Sequence, residues 1–220
     1  MKQVEARGAL VRLVFRKIFV FLCIIFSSLN LSIANENSEI LNNVEKYLND
    51  IKYFKANFIQ DNKDNSELSE GIFYLSRPGK LRIDYLNPFE ASLYTNNQTT
   101  TYYDKELDEI TTIKTSKTPL HFLLNENITF KDNSFKIVDI ENKKENVMIS
   151  FIENKKEDQG KLILNFKKNP LILSSIKLIT EDKQEIEMSL FDISNLPIKN
   201  STFNFINPRM KSKVNKWKIL

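Results

Sequence analysis

Between Gly71 and Tyr85 the apolar positions fall on every second residue. Gly71, Phe73 and Leu75 alternate with Ile72, Tyr74 and Ser76, Arg77-Pro78-Gly79 interrupts, and Leu81, Ile83 and Tyr85 alternate with Arg82 and Asp84. That period predicts two antiparallel strands sharing one apolar face across a Pro-Gly turn, with an arginine at the corner of the face. The face is either ordinary core or the wall of a cavity for an apolar ligand. Similar patterns predict strands at Phe54–Gln60, Ala91–Thr95, Thr99–Tyr103, Glu109–Ile113, Ser134–Ile140, Val147–Ile152, Lys161–Phe166, Leu171–Thr180, Glu185–Ile193 and Ser201–Phe205. Short strands with hairpin-like connections read as an antiparallel sheet curling into a barrel or half-barrel.

Two segments break the strand period. From Ser38 to Ile51 the apolar residues Ile40, Leu41, Val44, Tyr47, Leu48 and Ile51 follow helical spacing, with Ser38 as the expected N-cap. Thr118-Pro119 followed by Leu120, Phe122, Leu123 and Leu124 reads as a cap, a proline at the first helical position and a short apolar helix. That helix is either a lid over the sheet or a seal for one end of it. The turns use Asn, Asp, Lys and Pro; beyond residue 34 the only glycines are Gly71, Gly79 and Gly160, too few for a glycine-rich phosphate loop.

The N-terminal residues change the charge argument. Arg12, Arg16 and Lys17 precede an apolar run from Ile18 to Phe26, and Ser32-Ile33-Ala34 supplies the small residues of a cleavage site, so residues 1–34 read as an export signal. A retained anchor is the rival, but the run falls short of the ~18 residues a span needs. Of the 32 basic and 28 acidic residues, five and one lie in 1–34, leaving 27 of each in residues 35–220. The basic excess therefore belongs to the signal, and no nucleic-acid partner is expected. The sole cysteine, Cys23, follows Leu22 inside the apolar run, a poor setting for lipidation, and would leave with the signal.

One cysteine and one histidine give no nitrogen or sulfur metal site and no activated nucleophile, so neither cofactor nor metal is expected. His121 lies within the short apolar helix, where packing is the simpler role. Asp104, Glu106, Asp108 and Glu109 cluster in a predicted turn, where acids are ordinarily solvated. Enzyme activity is not expected. An outer-membrane barrel needs strands of ~9 to 11 residues and has no place for a long opening helix. Residues 35–220 suit a single domain. Its last stretch, 207–220, is a basic tail holding Arg209, Lys211, Lys213, Lys216, Lys218 and Trp217 with no acid, either a solvated end or a surface for an acidic partner.

The order of several short motifs resembles the periplasmic outer-membrane lipoprotein carrier (LolA) family. The motifs are Phe54-Lys55-Ala56-Asn57-Phe58-Ile59-Gln60 after the opening helix, Gly71 through Arg77-Pro78-Gly79, and Tyr102-Tyr103-Asp104. Thr118-Pro119 with Leu123-Leu124 and Phe203-Asn204-Phe205 with Pro208 follow. The resemblance implies an incomplete antiparallel half-barrel enclosing a hydrophobic cavity, covered by an N-terminal helix and a short mid-chain helix. It implies a periplasmic chaperone that takes acylated lipoproteins from an inner-membrane ABC transporter to an outer-membrane receptor or the membrane itself, working as a monomer.

By the same resemblance Arg77 closes the lid by donating to lid carbonyls, with an arginine that merely caps a strand as the plain alternative. The acyl-chain cavity would be lined by Phe54, Phe58, Phe73, Leu75, Leu81, Ile83 and Tyr85, with Leu120 and Leu123 from the lid; each serves equally as core. A binding module for free lipids, or a receptor-like protein of the same fold, is the other reading. Two departures stand out: Asn96-Asn97-Gln98 replaces the usual Asp-Gly-type turn, a swap expected to work because Asn tolerates left-handed backbone, and the basic tail has no counterpart.

Overall fold

A computed structural model describes residues 36–62, 67–131, 135–154 and 160–209. The proposed export signal at 1–34, Ser134 and the tail beyond Arg209 lie outside the described residues.

Helix α1 spans residues 36–50. It is already formed at residue 36, so Ser38 sits inside it and is not its N-cap. Eleven strands follow: β1 Tyr53–Asn62, β2 Glu67–Ser76, β3 Lys80–Asn87, β4 Ala91–Thr95, β5 Thr99–Asp104 and β6 Glu109–Lys114 in one run. After a crossover come β7 Phe135–Asn142, β8 Asn146–Glu153, β9 Lys161–Lys168, β10 Leu171–Ile179 and β11 Glu185–Ser194. All pair antiparallel in one 11-stranded sheet of order β6-β5-β4-β3-β2-β1-β11-β10-β9-β8-β7. The sheet is open, with β6 and β7 as its two edges.

That order consists of two meanders, β1 to β6 and β7 to β11, zipped together where the first strand meets the last. Nine of the ten connections are therefore local, and the tenth, from β6 to β7, must travel from one edge of the sheet to the other. The inner face is set by strand alternation. Phe54, Ala56 and Phe58 of β1, Val147, Ile149 and Phe151 of β8, and Leu162, Leu164 and Phe166 of β9 are all buried. Residues between them face outward.

The edge-to-edge crossover is short-pitched rather than α-helical. It holds two 3-10 helices, Thr115–Lys117 and Pro119–Leu124. Thr118 occupies the N-cap position of the second, but its hydroxyl donates back to the Thr115 carbonyl at 2.9 Å instead of capping. The Ser201–Phe205 strand is not formed. Asn200–Phe203 is a 3-10 helix on the outer face, where Arg82 donates to the Thr202 carbonyl at 2.9 Å. Phe205 then packs against Tyr94 and Tyr103, with ring centroids 5.3 and 6.0 Å away. Alternating aromatics imitate a strand here because Phe203 is buried too, within the 3-10 helix and without a ladder partner.

Candidate functional site

The sheet residues singled out from the alternation fall on three adjacent rows of the inner face. Cross-strand register sets Phe54 beside Leu75 and Leu75 beside Leu81; Ala56 beside Phe73 and Phe73 beside Ile83; Phe58 beside Gly71 and Gly71 beside Tyr85. Phe54, Phe58, Phe73, Leu75, Leu81 and Ile83 are all buried, and Leu120 and Leu123 of the crossover are buried as well. Tyr85 is only half-buried. Its hydroxyl donates to Gln60 Oε1 at 2.9 Å, and burial pushes its pKa upward. Ala56, Gly71 and Gln60 complete the patch and were not among the expected lining residues.

Gly71 is what lets the third row exist. A Cβ there would lie 2.0 Å from the Asp84 carbonyl oxygen and 2.6 Å from Phe58 Cζ. The Phe58 ring takes that space and meets Tyr85 edge to face, 5.4 Å between centroids.

At the end of these rows stands the β2–β3 turn. Residues 71, 73 and 75 face inward, and Arg77 continues that parity. It is 6 % exposed. Its Nη2 donates to the Leu48 carbonyl, and its backbone N–H donates to the Lys52 carbonyl at 2.9 Å. Leu48 lies in the last turn of α1, where carbonyls lack intrahelical donors and the helix dipole is negative, so a guanidinium is well matched to it. Desolvation lowers the pKa of Arg77 to about 10, which leaves it charged at neutral pH. Arg77 thus reaches the N-terminal helix rather than the mid-chain one.

The mid-chain helix is held by the same turn through another residue. Gly79 N–H donates to the Leu124 carbonyl at 2.9 Å. Gly79 has φ +78°, so the turn geometry requires glycine; a Cβ there would also press on the exposed Asn97 side chain, which can swing aside. Asn97 belongs to the Asn96-Asn97-Gln98 turn, which does not work through left-handed backbone: the non-glycine residues with positive φ among those described are Asp108, Lys183 and Asp192. Asn96 instead accepts the N–H groups of Gln98 and Thr99 at 2.8 Å each.

The last turn of α1 and the crossover are also clamped to each other. Asn49 donates through Nδ2 to the Ile128 carbonyl at 2.7 Å and accepts Ile128 N–H through Oδ1 at 2.8 Å. One turn earlier, Glu45 Oε2 accepts Phe130 N–H at 2.7 Å. Positions i and i+4 share a helix face, so two side chains serve three backbone groups of one extended segment. On the opposite meander Tyr47 packs edge to face on Phe166 at 5.8 Å and accepts Leu173 N–H at 3.1 Å. Phe122 and Phe130 pack against Phe151 at 4.9 and 5.4 Å. Polar residues on a helix give no sequence signal for such clamps; they read as a solvated face.

Beside the turn lies an open depression of about 450 Å³, lined by Pro78, Asn97, Thr115, Ser116, His121 and Leu124 among others. His121 is tied down there, its Nδ1 2.8 Å from the Thr118 carbonyl and its ring 4.9 Å from that of Phe135. The acidic cluster is likewise structural. Asp104 accepts the N–H groups of Glu106 and Leu107 at 2.9 and 3.0 Å, and Asp108 pairs with Arg209 at 3.2 Å.

An uncharacterized protein of Rickettsia prowazekii is 24 % identical over 192 residues, covering 87 % of each chain. The outer-membrane lipoprotein carrier protein of Methylococcus capsulatus is 32 % identical over 72 residues, which spans 31 % of this chain and 35 % of the carrier. A crystal structure of a LolA superfamily protein from Nitrosomonas europaea superposes with a TM-score of 0.43 at 6 % identity, covering 75 % of this chain and 97 % of that one. The model of the outer membrane lipoprotein carrier protein LolA matches residues 49–206, and the chain belongs to that family.

Proposed function

We propose that the protein is a periplasmic chaperone that shelters the acyl chains of lipoproteins on the inner face of the sheet, taking them from an inner-membrane ABC transporter to the outer membrane. The observation that carries this reading is the latch at Arg77-Pro78-Gly79. One turn holds both elements that close over an apolar face, through Leu48 and Leu124.

Exposing acyl chains to water costs ~0.8 kcal/mol per CH₂, so cargo needs a sheltered route between membranes. The gain relative to a bilayer is small, because both environments are apolar. A carrier that must also let go therefore needs a stable empty state that competes with cargo. In the closed structure Phe54, Phe58, Phe73 and Leu81 are buried against protein atoms, and cargo would replace those contacts by lifting the crossover and the end of α1. Arg77 favours closure by its bond to Leu48.

The test is native mass spectrometry of the protein recovered from the periplasm, beside the Arg77→Leu variant. The wild type is expected to carry some acylated protein. The variant, folded but without its latch, is expected to retain more of it and to transfer it poorly to acceptor membranes. Recovery of free lipid alone would favour a lipid-binding module, and normal transfer by the variant would remove the latch from the mechanism.

A further inference from the structure

Arg77 has more hydrogen-bonding capacity than the closed state uses. A guanidinium carries five N–H donors in a fixed fork. Nη2 is engaged by Leu48, but Nε and Nη1 are buried without a partner. Among the described residues no carboxylate forms an ion pair with Arg77, and the side chain is 6 % exposed. A buried charge with idle donors is costly, and an acceptor brought to it recovers more than an ordinary hydrogen bond does.

The position of those donors indicates what the acceptor is. Arg77 ends the inner-face row that runs Gly71, Phe73, Leu75, and Leu81 lies directly across the turn from Leu75. An acyl chain laid along that row would bring its oxygen-bearing head to the guanidinium. Next to the same turn, the depression bordered by Pro78 and Asn97 is open to solvent and gives whatever is attached to the head a way out.

We infer that Nε and Nη1 of Arg77 form a polar subsite for the carbonyl oxygen at the head of a fatty acyl chain. The inference rests on the acyl-carrier reading and adds to it: the arginine acts on the cargo as well as on the lid. It also makes a distinction that an apolar wall alone cannot make, because hydrocarbon of equal length without the carbonyl leaves the donors idle.

Binding of matched probes tests it. Dioleoylglycerol presents ester carbonyls; its dialkyl ether analogue has the same chains without them; oleate presents a carboxylate. A charge-assisted hydrogen bond corresponds to roughly a tenfold difference in affinity or more. The wild-type protein is therefore expected to bind the ester at least about tenfold more tightly than the ether. Arg77→Met should erase that gap while still binding the ether, more tightly than the wild type does because the latch is gone, and Arg77→Lys, which keeps charge without the fork, should restore part of the gap.

Stronger binding of oleate than of the ester would assign the same subsite to free fatty acids. Equal affinity of the wild type for ester and ether overturns the subsite while leaving the carrier reading standing. Failure to bind any of the three overturns both.

Discussion

Replacing Asn49 by Ala loosens the crossover from α1 at Ile128 without touching the apolar face. The side chain makes two hydrogen bonds to one residue, at 2.7 and 2.8 Å, and the Ile128 groups it serves belong to a residue that is 2 % exposed. Each such bond contributes about 1 kcal/mol net, and more when its partner is left buried and unpaired. Asn49 itself is exposed, so water reaches part of the vacated space and the lower end of the range applies. Alanine also suits a helix better than asparagine by about 0.5 kcal/mol. The balance is a loss of about 1 to 2 kcal/mol. Urea unfolding should show it as a lower midpoint at unchanged slope, and hydrogen exchange should show the Ile128 and Phe130 amides losing protection while Phe151 keeps its own. Unchanged protection at Ile128 would refute the claim that the clamp holds the crossover down, whatever the midpoint does.

Two further substitutions probe the patch itself. Gly71→Ala places a methyl against the Asp84 carbonyl and the Phe58 ring, one of them backbone; overpacking of that kind costs about 2 to 3 kcal/mol, and a urea midpoint equal to wild type would show that β3 moves aside freely. Tyr85→Phe removes the bond to Gln60 and should cost about 1 kcal/mol at neutral pH. Burial raises the Tyr85 pKa above 10.0, so the stability it contributes is full below pH 10 and declines as pH rises beyond it. The gap between wild type and Tyr85→Phe should therefore narrow above pH 10 in denaturation at stepped pH; a gap that widens would contradict the assigned direction.

Strands were legible where one side of the chain is buried and the other wet. Ala91–Thr95 has the bounds its pattern implies, β1 and β3 extend theirs by a residue or two at each end, and β11 extends its own by one residue at the C-terminal end. The Ser201–Phe205 alternation misled because alternation reports burial, not a ladder: Phe203 is buried within a 3-10 helix, and the partners of Phe205 are outer-face aromatics of β4 and β5. The Arg77-Pro78-Gly79 corner was legible as a turn, since proline and glycine fix backbone locally. Its acceptor was not, because Leu48 contributes a carbonyl and every residue has one. Asn49 and Glu45 were invisible for a related reason: their partners, Ile128 and Phe130, are backbone groups about eighty positions away.

Sheet topology explains why all of these contacts gather in one place. Antiparallel pairing of Tyr53 with Ser76 puts the entry to β1 beside the exit from β2, so the end of α1 and the Arg77 turn are neighbours by register. Leu81 pairs with Thr95, which brings the β4–β5 turn to the same end, and Thr115 N–H donates to the Gln98 carbonyl at 3.0 Å, which brings the start of the crossover there too. The α1–β1, β2–β3, β4–β5 and β6–crossover junctions are alternate corners of one meander, and alternate corners share an end. The opening movement proposed above would break the bonds of Arg77, Gly79 and the crossover at that end and leave the strand ladders whole. A sheet of eleven strands could thus stay rigid while its cover moves, which is the division of labour the proposed carrier role requires.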